Sequence, residues 1–197
     1  MGAITRTLAN NLTAAKGAQA IGSIQQVNYT AHTSFTGSGG ATNRESSPHT
    51  VTGLNMTFTR ESQTSKTLLS YNITVGTNGD TWISFKIQYS TDQSSWTDVP
   101  GKTDAHANTS LPRGHIGVGY RAGGSNSFSE YTSNPCLVEI LHDSSGIASN
   151  TVYYKILLFN GHQNSRTMYI NQAEHMASTG DPNRNCGIST FTATEIL

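Results

Sequence analysis

Short runs of alternating apolar and polar residues, each ended by Gly, Ser, Asn or Pro, fill the chain from about Ile24 onward. The clearest run is TWISFKIQYS, residues 81–90, which places one set of side chains on a single face of an extended strand: Ile83, Phe85, Ile87 and Tyr89. Roughly nine or ten such runs follow one another at the spacing typical of a sandwich or barrel. The pattern predicts an all-β fold, an antiparallel β-sandwich of the jelly-roll type with about 8–10 strands.

Length and charge narrow the class of protein further. The chain has 197 residues with 12 basic and 12 acidic side chains, and charged residues make up only 12% of it. That length fits one domain with a short arm, and so few charges argue against both a disordered chain and a coiled coil. A pI near 7.1 without a Lys/Arg cluster excludes the usual electrostatic surface for nucleic acid or anionic lipid.

Export and membrane insertion are not expected from the sequence. No stretch approaches the length of an apolar membrane span, and the N-terminus lacks the apolar core of a signal peptide. We therefore expect synthesis in a cytoplasm, where Cys136 and Cys186 would be reduced and serve as small apolar fillers. A disulfide between the two cysteines is the alternative.

Two local features predict irregular backbone between strands. In residues 50–59 the alternation slips at Gly53, which predicts a β-bulge. In residues 77–80, Asn78-Gly79 stands between two apolar runs, which predicts a β-hairpin.

The first 24 residues differ from the rest of the chain. Ile4, Leu8 and Leu12 are spaced to line one side of a short helix, but no aromatic residue precedes Tyr29. Such a segment cannot form a core alone. We expect residues 1–24 to be an anchoring arm and residues 25–197 to be the β domain, with a disordered tail as the alternative for the arm.

No catalytic or metal-binding motif of the sequence has the required spacing. Residues 142–146, His-Asp-Ser-Ser-Gly, contain the residue types of a hydrolase triad, but five adjacent residues cannot supply its geometry, so a polar turn is expected. The glycines of residues 117–124 lack the Lys-Ser/Thr ending of a phosphate loop. Seven histidines are scattered without the spacing of a zinc site. We expect a non-enzymatic protein without a cofactor or a metal.

The C-terminal half carries a family resemblance. Residues 150–156 (NTVYYKI), 168–171 (MYIN) and 187–196 (GISTFTATEI) follow one another in the order found in a C-terminal β domain of structural proteins of tailed bacteriophages, especially cyanophages. Upstream, residues 51–59, 65–69 and 72–76 resemble the same domain. The opening residues 4–13 are similar to the start of some phage fibre and appendage proteins. Gln172 departs from the family, which often has Arg there, and the loop of residues 90–129 is longer than usual.

The resemblance implies a jelly-roll domain, often trimeric, that is displayed on the virion as a fibre tip, knob or capsid decoration. Aromatic residues are common at such interfaces. Tyr153 and Tyr154 are consecutive, so one faces the core and the other the opposite side, and Tyr169 alternates with Met168 in the same way. We therefore expect Tyr153, Tyr154 and Tyr169 to be candidates for a trimer interface.

These observations lead to a hypothesis of a trimeric capsid decoration (cement) or head–tail appendage protein. Its partners would be its own copies and the major capsid protein or the tail and neck proteins of the same virion, to which Ile4, Leu8 and Leu12 would anchor it. The alternative is a tail-fibre tip or receptor-binding knob that recognises host surface glycans. In that case the contact residues would lie in the long loop, with Trp96, Asn108 and Arg113 as candidates.

Overall fold

The fold is built from β-strands in every part of the chain that the structure describes. The computed structural model describes residues 21–37, 48–78, 81–100, 116–120, 133–160, 165–172 and 187–197. The strands are β1 (Ile21–Tyr29), β2 (Thr33–Gly37), β3 (His49–Thr50), β4 (Met56–Thr59), β5 (Lys66–Thr77), β6 (Thr81–Ser90), β7 (Thr97–Asp98), β8 (Ile116–Tyr120), β9 (Asn134–His142), β10 (Thr151–Asn160), β11 (Arg166–Ile170) and β12 (Ser189–Ile196). The predicted all-β fold class is confirmed. Two of the strands, β3 and β7, have two residues each and are too short for alternation to detect.

The strands form two antiparallel sheets of six strands. In the first sheet, β5 is central. It pairs with β9 along one edge, and with β12 and β11 one after the other along the opposite edge. β1 pairs with β12 and β2 pairs with β11, so β1 and β2 lie at the far side of this sheet from β9. In the second sheet, β10 pairs with β3, β4 and β6, and β6 pairs with β7 and β8.

The core lies between the two sheets and is formed by alternate residues of the long strands. On β5 the odd-numbered residues from Thr67 to Thr77 are buried, and on β12 the same is true from Ser189 to Glu195. Removing apolar area from water at about 25 cal/mol per Å² is the main force that holds the sheets together. The largest apolar members with no exposed area are Tyr71, Tyr154, Phe58, Phe85, Phe191, Leu54, Leu69, Ile73, Ile83, Ile87 and Ile156. The core face predicted for β6 is confirmed, since Ile83, Phe85 and Ile87 are fully buried.

The predicted Asn-Gly hairpin is wrong, because β5 and β6 belong to different sheets. Asn78 continues the ladder of the first sheet: its N–H donates to the carbonyl of Thr167 at 3.2 Å, and its Oδ1 accepts from the Thr167 N–H at 2.9 Å. The chain then crosses to the second sheet. The apolar faces of β5 and β6 pack against each other across the core. In a hairpin the two strands would lie side by side in one sheet and could not face each other in this way.

The predicted bulge at Gly53 is also wrong. Residues Thr52–Leu54 form a single 3-10 turn that places Leu54 in the core. A Cβ atom at Gly53 would overlap the ring of Tyr29. The glycine therefore permits the close approach of a β1 side chain rather than an extra residue in a ladder.

The predicted arm falls mostly outside the described residues. Ile4, Leu8 and Leu12 lie among residues 1–20, which the structure does not describe, whereas residues 21–24 are the first part of β1. Within the described ranges, no helix has the length and apolar character needed to cross a bilayer.

Candidate functional site

The three tyrosines predicted at a trimer interface occupy different environments. Tyr154 is fully buried in the core, so its side chain does not reach an outer face. Tyr153 is half-buried on the outer face of the second sheet, opposite Thr57 and Ser90. Tyr169 is half-buried on the outer face of the first sheet, opposite Ser34 and Gly76. The expectation that consecutive tyrosines would face opposite sides of β10 is confirmed, but Tyr153 and Tyr169 are not neighbours within one chain.

Trp96 is held on the second sheet by an ordered turn. The Asp92 carboxylate accepts hydrogen bonds from the N–H groups of Ser94 and Ser95, each at 2.8 Å. These bonds hold the pKa of Asp92 well below its usual range. The Trp96 Nε1–H donates to the carbonyl of Gln93 at 3.1 Å, and the Lys155 ammonium lies 4.0 Å from the centre of the Trp96 ring. Asn108 and Arg113, the other glycan-contact candidates, lie outside the described residues.

A buried arginine joins the loops at one end of the sandwich. Arg60 follows β4 and is 1% exposed. Its guanidinium donates to the carbonyl oxygens of Ser144 at 2.7 Å, Ile147 at 2.9 Å and Ser149 at 2.5 Å, all in the turn between β9 and β10. It also donates to the carbonyl of Ser65 at 3.3 Å. The fixed fork of N–H donors therefore links two loops through their backbones.

The residues with triad chemistry belong to this same turn and do not form a triad. Ser144 is buried, and its hydroxyl donates to the Ser65 carbonyl at 2.9 Å. Asp143 is exposed, and its carboxylate accepts from the Ser145 hydroxyl at 2.6 Å. The His142 Nδ1 lies 3.1 Å from the Tyr154 hydroxyl, inside the core. Ser144 and His142 have partners in other segments, Asp143 has one within the turn, and the predicted polar turn between β9 and β10 is confirmed.

The burial of His142 has a consequence for acid stability. Burial first, and the positive charge of Arg60 second, lower the pKa of His142 to about 4, against the opposing effect of Asp143. Because the folded pKa lies below the ordinary 6.5, the neutral ring is favoured in the fold. Its contribution to stability is fully present above pH 6.5 and is lost as the pH falls towards 4.

We expect His142→Phe to remove this component of acid sensitivity. In the native protein, the free energy of unfolding falls by on the order of 1–2 kcal/mol between pH 7 and pH 5 from this group. Urea unfolding at a series of pH values measures the slope. The matched control is His32→Phe, at an exposed histidine, which keeps the native slope. An unchanged slope in His142→Phe would contradict the assignment.

A buried carboxylate closes the same end of the sandwich. Glu195 of β12 has no exposed area. Its two oxygens accept hydrogen bonds from the N–H groups of Ser23 at 3.0 Å, Glu61 at 2.8 Å and Ser62 at 2.9 Å. Burial would raise the pKa of Glu195, but these bonds and the Ser65 hydroxyl outweigh it and lower the pKa to about 2. The carboxylate thus ties the start of β1 and the β4–β5 loop to the last strand.

Asn171 has the corresponding role at the opposite end of the first sheet. It has a positive φ of 62°, a conformation that Asn tolerates better than most residues. Its Nδ2 donates to the carbonyls of Tyr29 at 2.7 Å and Ala31 at 3.1 Å, where the chain bends from β1 into β2. Its Oδ1 accepts from the Ser189 hydroxyl at 2.6 Å. Asn171 therefore connects β1, β2, β11 and β12.

Arg60, Glu195 and Asn171 were not among the residues predicted to matter, although two of them carry a sequence signal. Glu195 lies an even number of residues from the buried Phe191 and Ala193, and Arg60 lies two residues after the buried Phe58, so the alternation of each segment places both on the core face. A charged residue on the core face of an alternating strand indicates a buried charge that is held by hydrogen bonds. Asn171 has no comparable signal.

The described part of the chain contains neither a cluster of metal ligands nor a reactive cysteine. No group of three or more His, Cys, Asp and Glu side chains there could hold a metal ion. Cys136 is a buried free cysteine whose pKa is raised by burial to about 11, which makes it unreactive as a thiolate at neutral pH. Cys186, its suggested disulfide partner, lies outside the described residues.

Comparisons with known proteins give only distant similarities. No protein-family model matches the chain, and no curated protein matches it significantly. Two structures of infectious bursal disease virus are similar to 91% and 90% of the chain: the Gt strain with a TM-score of 0.45 and 9% identity, and the Gx strain with a TM-score of 0.40 and 10% identity. A bacterial lipoprotein from Bacteroides thetaiotaomicron is similar to 90% of the chain and covers 87% of its own length, with a TM-score of 0.28 and 12% identity. The chain spans about two fifths of the viral chains, 39% and 38%. These similarities assign no function.

Proposed function

We propose that this chain is a non-enzymatic virion structural protein that assembles as a homotrimer. It would be a capsid decoration (cement) protein or a head–tail appendage of a tailed bacteriophage. Residues 1–24 would be its arm, with Ile4, Leu8 and Leu12 as apolar anchors on the major capsid protein or on tail and neck proteins. Its place of synthesis would be the host cytoplasm, and its final location the surface of the virion.

One observation carries this proposal: the conspicuous polar residues of the phage-like pattern bind the backbone of their own chain. Glu195 and Asn171 both stand in segments that resemble the phage domain, residues 187–196 and 168–171. Each joins three or more segments at one end of the first sheet. A pattern whose polar members hold strands together specifies a rigid block rather than a reaction, which suits a part with a mechanical task.

The resembling segments also meet in space. Residues 66–72 pair with residues 190–196, residues 75–77 pair with residues 168–170, and residues 56–59 pair with residues 151–154. The resemblance therefore covers the central ladder of the first sheet and one ladder of the second. Surface loops, which set the choice of partner, lie outside it.

The glycan-binding alternative has less support. The ring of Trp96 carries Lys155 over one face, so that face is not open to a sugar. The remaining candidates, Asn108 and Arg113, lie outside the described residues.

Mass spectrometry of purified particles tests the virion role. We expect peptides of this chain in density-banded particles of the phage that encodes it, at a constant ratio to the major capsid protein through successive purification steps. A non-structural protein of the same phage is the control and is expected to disappear. Loss of this chain together with that control would contradict the proposal.

A further inference from the structure

The exposed apolar residues of the described chain are concentrated on the two outer strands of the first sheet. Six large hydrophobic residues are strongly exposed, and four of them lie on β1 and β9. Ile21 and Ile24 are 61% and 63% exposed on β1, and Leu137 and Leu141 are 63% and 53% exposed on β9. Single exposed hydrophobic residues are normal on a protein surface, but their concentration on two strands requires a reason.

The pairing register places Ile21, Ile24 and Leu141 in two adjacent rows. Thr194 and the exposed Lys66 are the polar members of these rows. Leu141 pairs with Leu68, Leu68 with Thr194, and Thr194 with Ile24, so this row crosses the sheet from edge to edge. In the next row, Lys66 pairs with Ile196 and Ile196 with Ile21. We call the apolar side chains of both rows on the outer face the apolar band: Leu141, Leu68, Ile24, Ile196 and Ile21.

The band lies on the face that points away from the core. Leu68 alternates with the buried Thr67 and Leu69, and Ile196 follows the buried Glu195. Within the described residues, no strand pairs with the outer edge of β9 or of β1. The next rows contain Ser70, Thr192 and Asn72, and Leu137, which pairs with Asn72, lies outside the band.

The band fits a second copy of the same chain better than it fits a charged partner. β1 has no charged residue, Glu139 is the one acidic residue of β9, and Lys66 is the one charged residue of the two rows. Depletion of charge together with exposed apolar side chains is typical of the core of a subunit interface. The formal charge of the chain is zero, so copies do not repel one another through net charge.

The position of the band favours a ring. Leu141 stands at one edge of the row and Ile24 at the other edge of the same row. A rotation about an axis parallel to the strands keeps each row at its own height. It therefore brings the Leu141 edge of one copy to the Ile24 edge of the next. A heterologous contact of this kind gives a ring when the rotation between copies closes, as a threefold rotation does.

We infer that the apolar band is the trimer interface, with the β9 edge of each copy against the β1 edge of the next. This inference rests on the trimer of the proposed function and gives it a site. The apolar band replaces the buried Tyr154 as a candidate for the trimer interface, and it lies on the same outer face as Tyr169.

Light scattering of the full chain and of three lysine variants tests the inference. We expect the native chain to have the mass of three copies of 21.1 kDa. Leu141→Lys and Ile24→Lys place a charge in the contact and are expected to reduce the mass threefold, to one copy. Ile188→Lys is the matched control, because Ile188 is 58% exposed but lies on neither edge strand, and it is expected to remain trimeric. Circular dichroism checks that all variants are folded.

Cross-linking distinguishes the two ways in which edges could meet. Leu141→Cys and Ile24→Cys chains, co-expressed and treated with a short bis-maleimide, are expected to give a cross-linked pair that contains one chain of each kind. Neither variant alone is expected to cross-link above the native background. Self-cross-linking of Leu141→Cys would mean that β9 meets β9 and would overturn the inference.

The outcomes separate the inference from the proposed function. A native trimer that survives both edge substitutions overturns the band as the interface and leaves the trimer intact. A native monomer overturns both the band and the trimer. The presence of the chain in purified particles is measured independently, so the virion role stands or falls on that result.

Discussion

Arg60→Leu is expected to lower the free energy of unfolding by roughly 3–5 kcal/mol, the largest effect of any single substitution considered. The carbonyl oxygens of Ser65, Ser144, Ile147 and Ser149 each lose a donor, and those of Ser65 and Ser144 keep a second one, from the Ser144 hydroxyl and the Ile147 N–H. Each group left unsatisfied costs about 1–3 kcal/mol, although water entering the turn recovers part of this. For a chain of this size, 1 kcal/mol corresponds to roughly 2–4 °C in Tm, so the melting temperature is expected to fall by about 10 °C or more. Chemical denaturation and thermal melting of the full chain measure both quantities.

Two comparisons separate the geometry of Arg60 from its charge. Arg60→Lys keeps the charge but cannot donate to three divergent carbonyls from one planar group, so an intermediate loss is expected. Lys66→Met removes an exposed positive charge at the same end of the sandwich and is expected to change stability by no more than about 0.5 kcal/mol. If Arg60→Leu were as mild as Lys66→Met, the Arg60 cross-link would not matter for folding.

Glu195→Gln is expected to cost about 2–3 kcal/mol at pH 7. The amide keeps one oxygen, but its Nε2–H₂ group faces backbone N–H donors, so at least one hydrogen bond to a charged acceptor is lost without replacement. The loss depends on pH in a defined direction. Because the folded pKa is lowered to about 2 from 4.5, the carboxylate stabilises the fold fully above pH 4.5, and this contribution is lost as the pH falls towards 2.

The difference between the native chain and Glu195→Gln is therefore expected to shrink steadily from pH 4.5 to pH 2. Glu61→Gln is the matched control, since Glu61 is exposed and contributes its backbone N–H, not its carboxylate, to Glu195. It is expected to retain the native acid profile. A constant difference between native and Glu195→Gln across this range would show that the carboxylate is not the titrating group.

The fold class could be predicted because alternation is a local property of the chain. Period-two burial extends over residues 83–88 of β6 and over β12, and the two sequences carry the same alternation. The connection at Asn78 could not be predicted, because Asn-Gly specifies a tight change of direction but not which sheet receives the next strand. Which sheet the next strand joins depends on how the apolar faces of β5 and β6 pack in the complete sandwich.

The buried polar residues were harder to predict than the core. Arg60 is satisfied by carbonyls of residues 144, 147 and 149, which follow it by more than 80 positions. No local rule connects such residues, and only the fold brings them together. The alternation of β4, continued by one residue to Arg60, and that of β12 could have marked Arg60 and Glu195 as inward-facing, but could not have identified their partners. The apolar band also could not be predicted locally, because three separate strand pairings bring Leu141, Leu68 and Ile24 into one row.

Together these features describe a block that resists deformation. The two buried charged side chains that bind loop backbone, Arg60 and Glu195, lie at the same end of the sandwich as the apolar band. Loops fixed by these hydrogen bonds hold the band in one conformation, which reduces the entropy lost when copies associate. A stiff end with an apolar band is well suited to a subunit that must form a fixed contact on a particle surface.

Cryo-electron microscopy of the virion proposed to carry this chain tests the central claim most directly. The account predicts a threefold knob on the head or the tail into which three copies of the sandwich fit, with the β9 edge of each copy against the β1 edge of the next. Particles that lack any density for the sandwich, in a phage that expresses the chain, would contradict the proposed role.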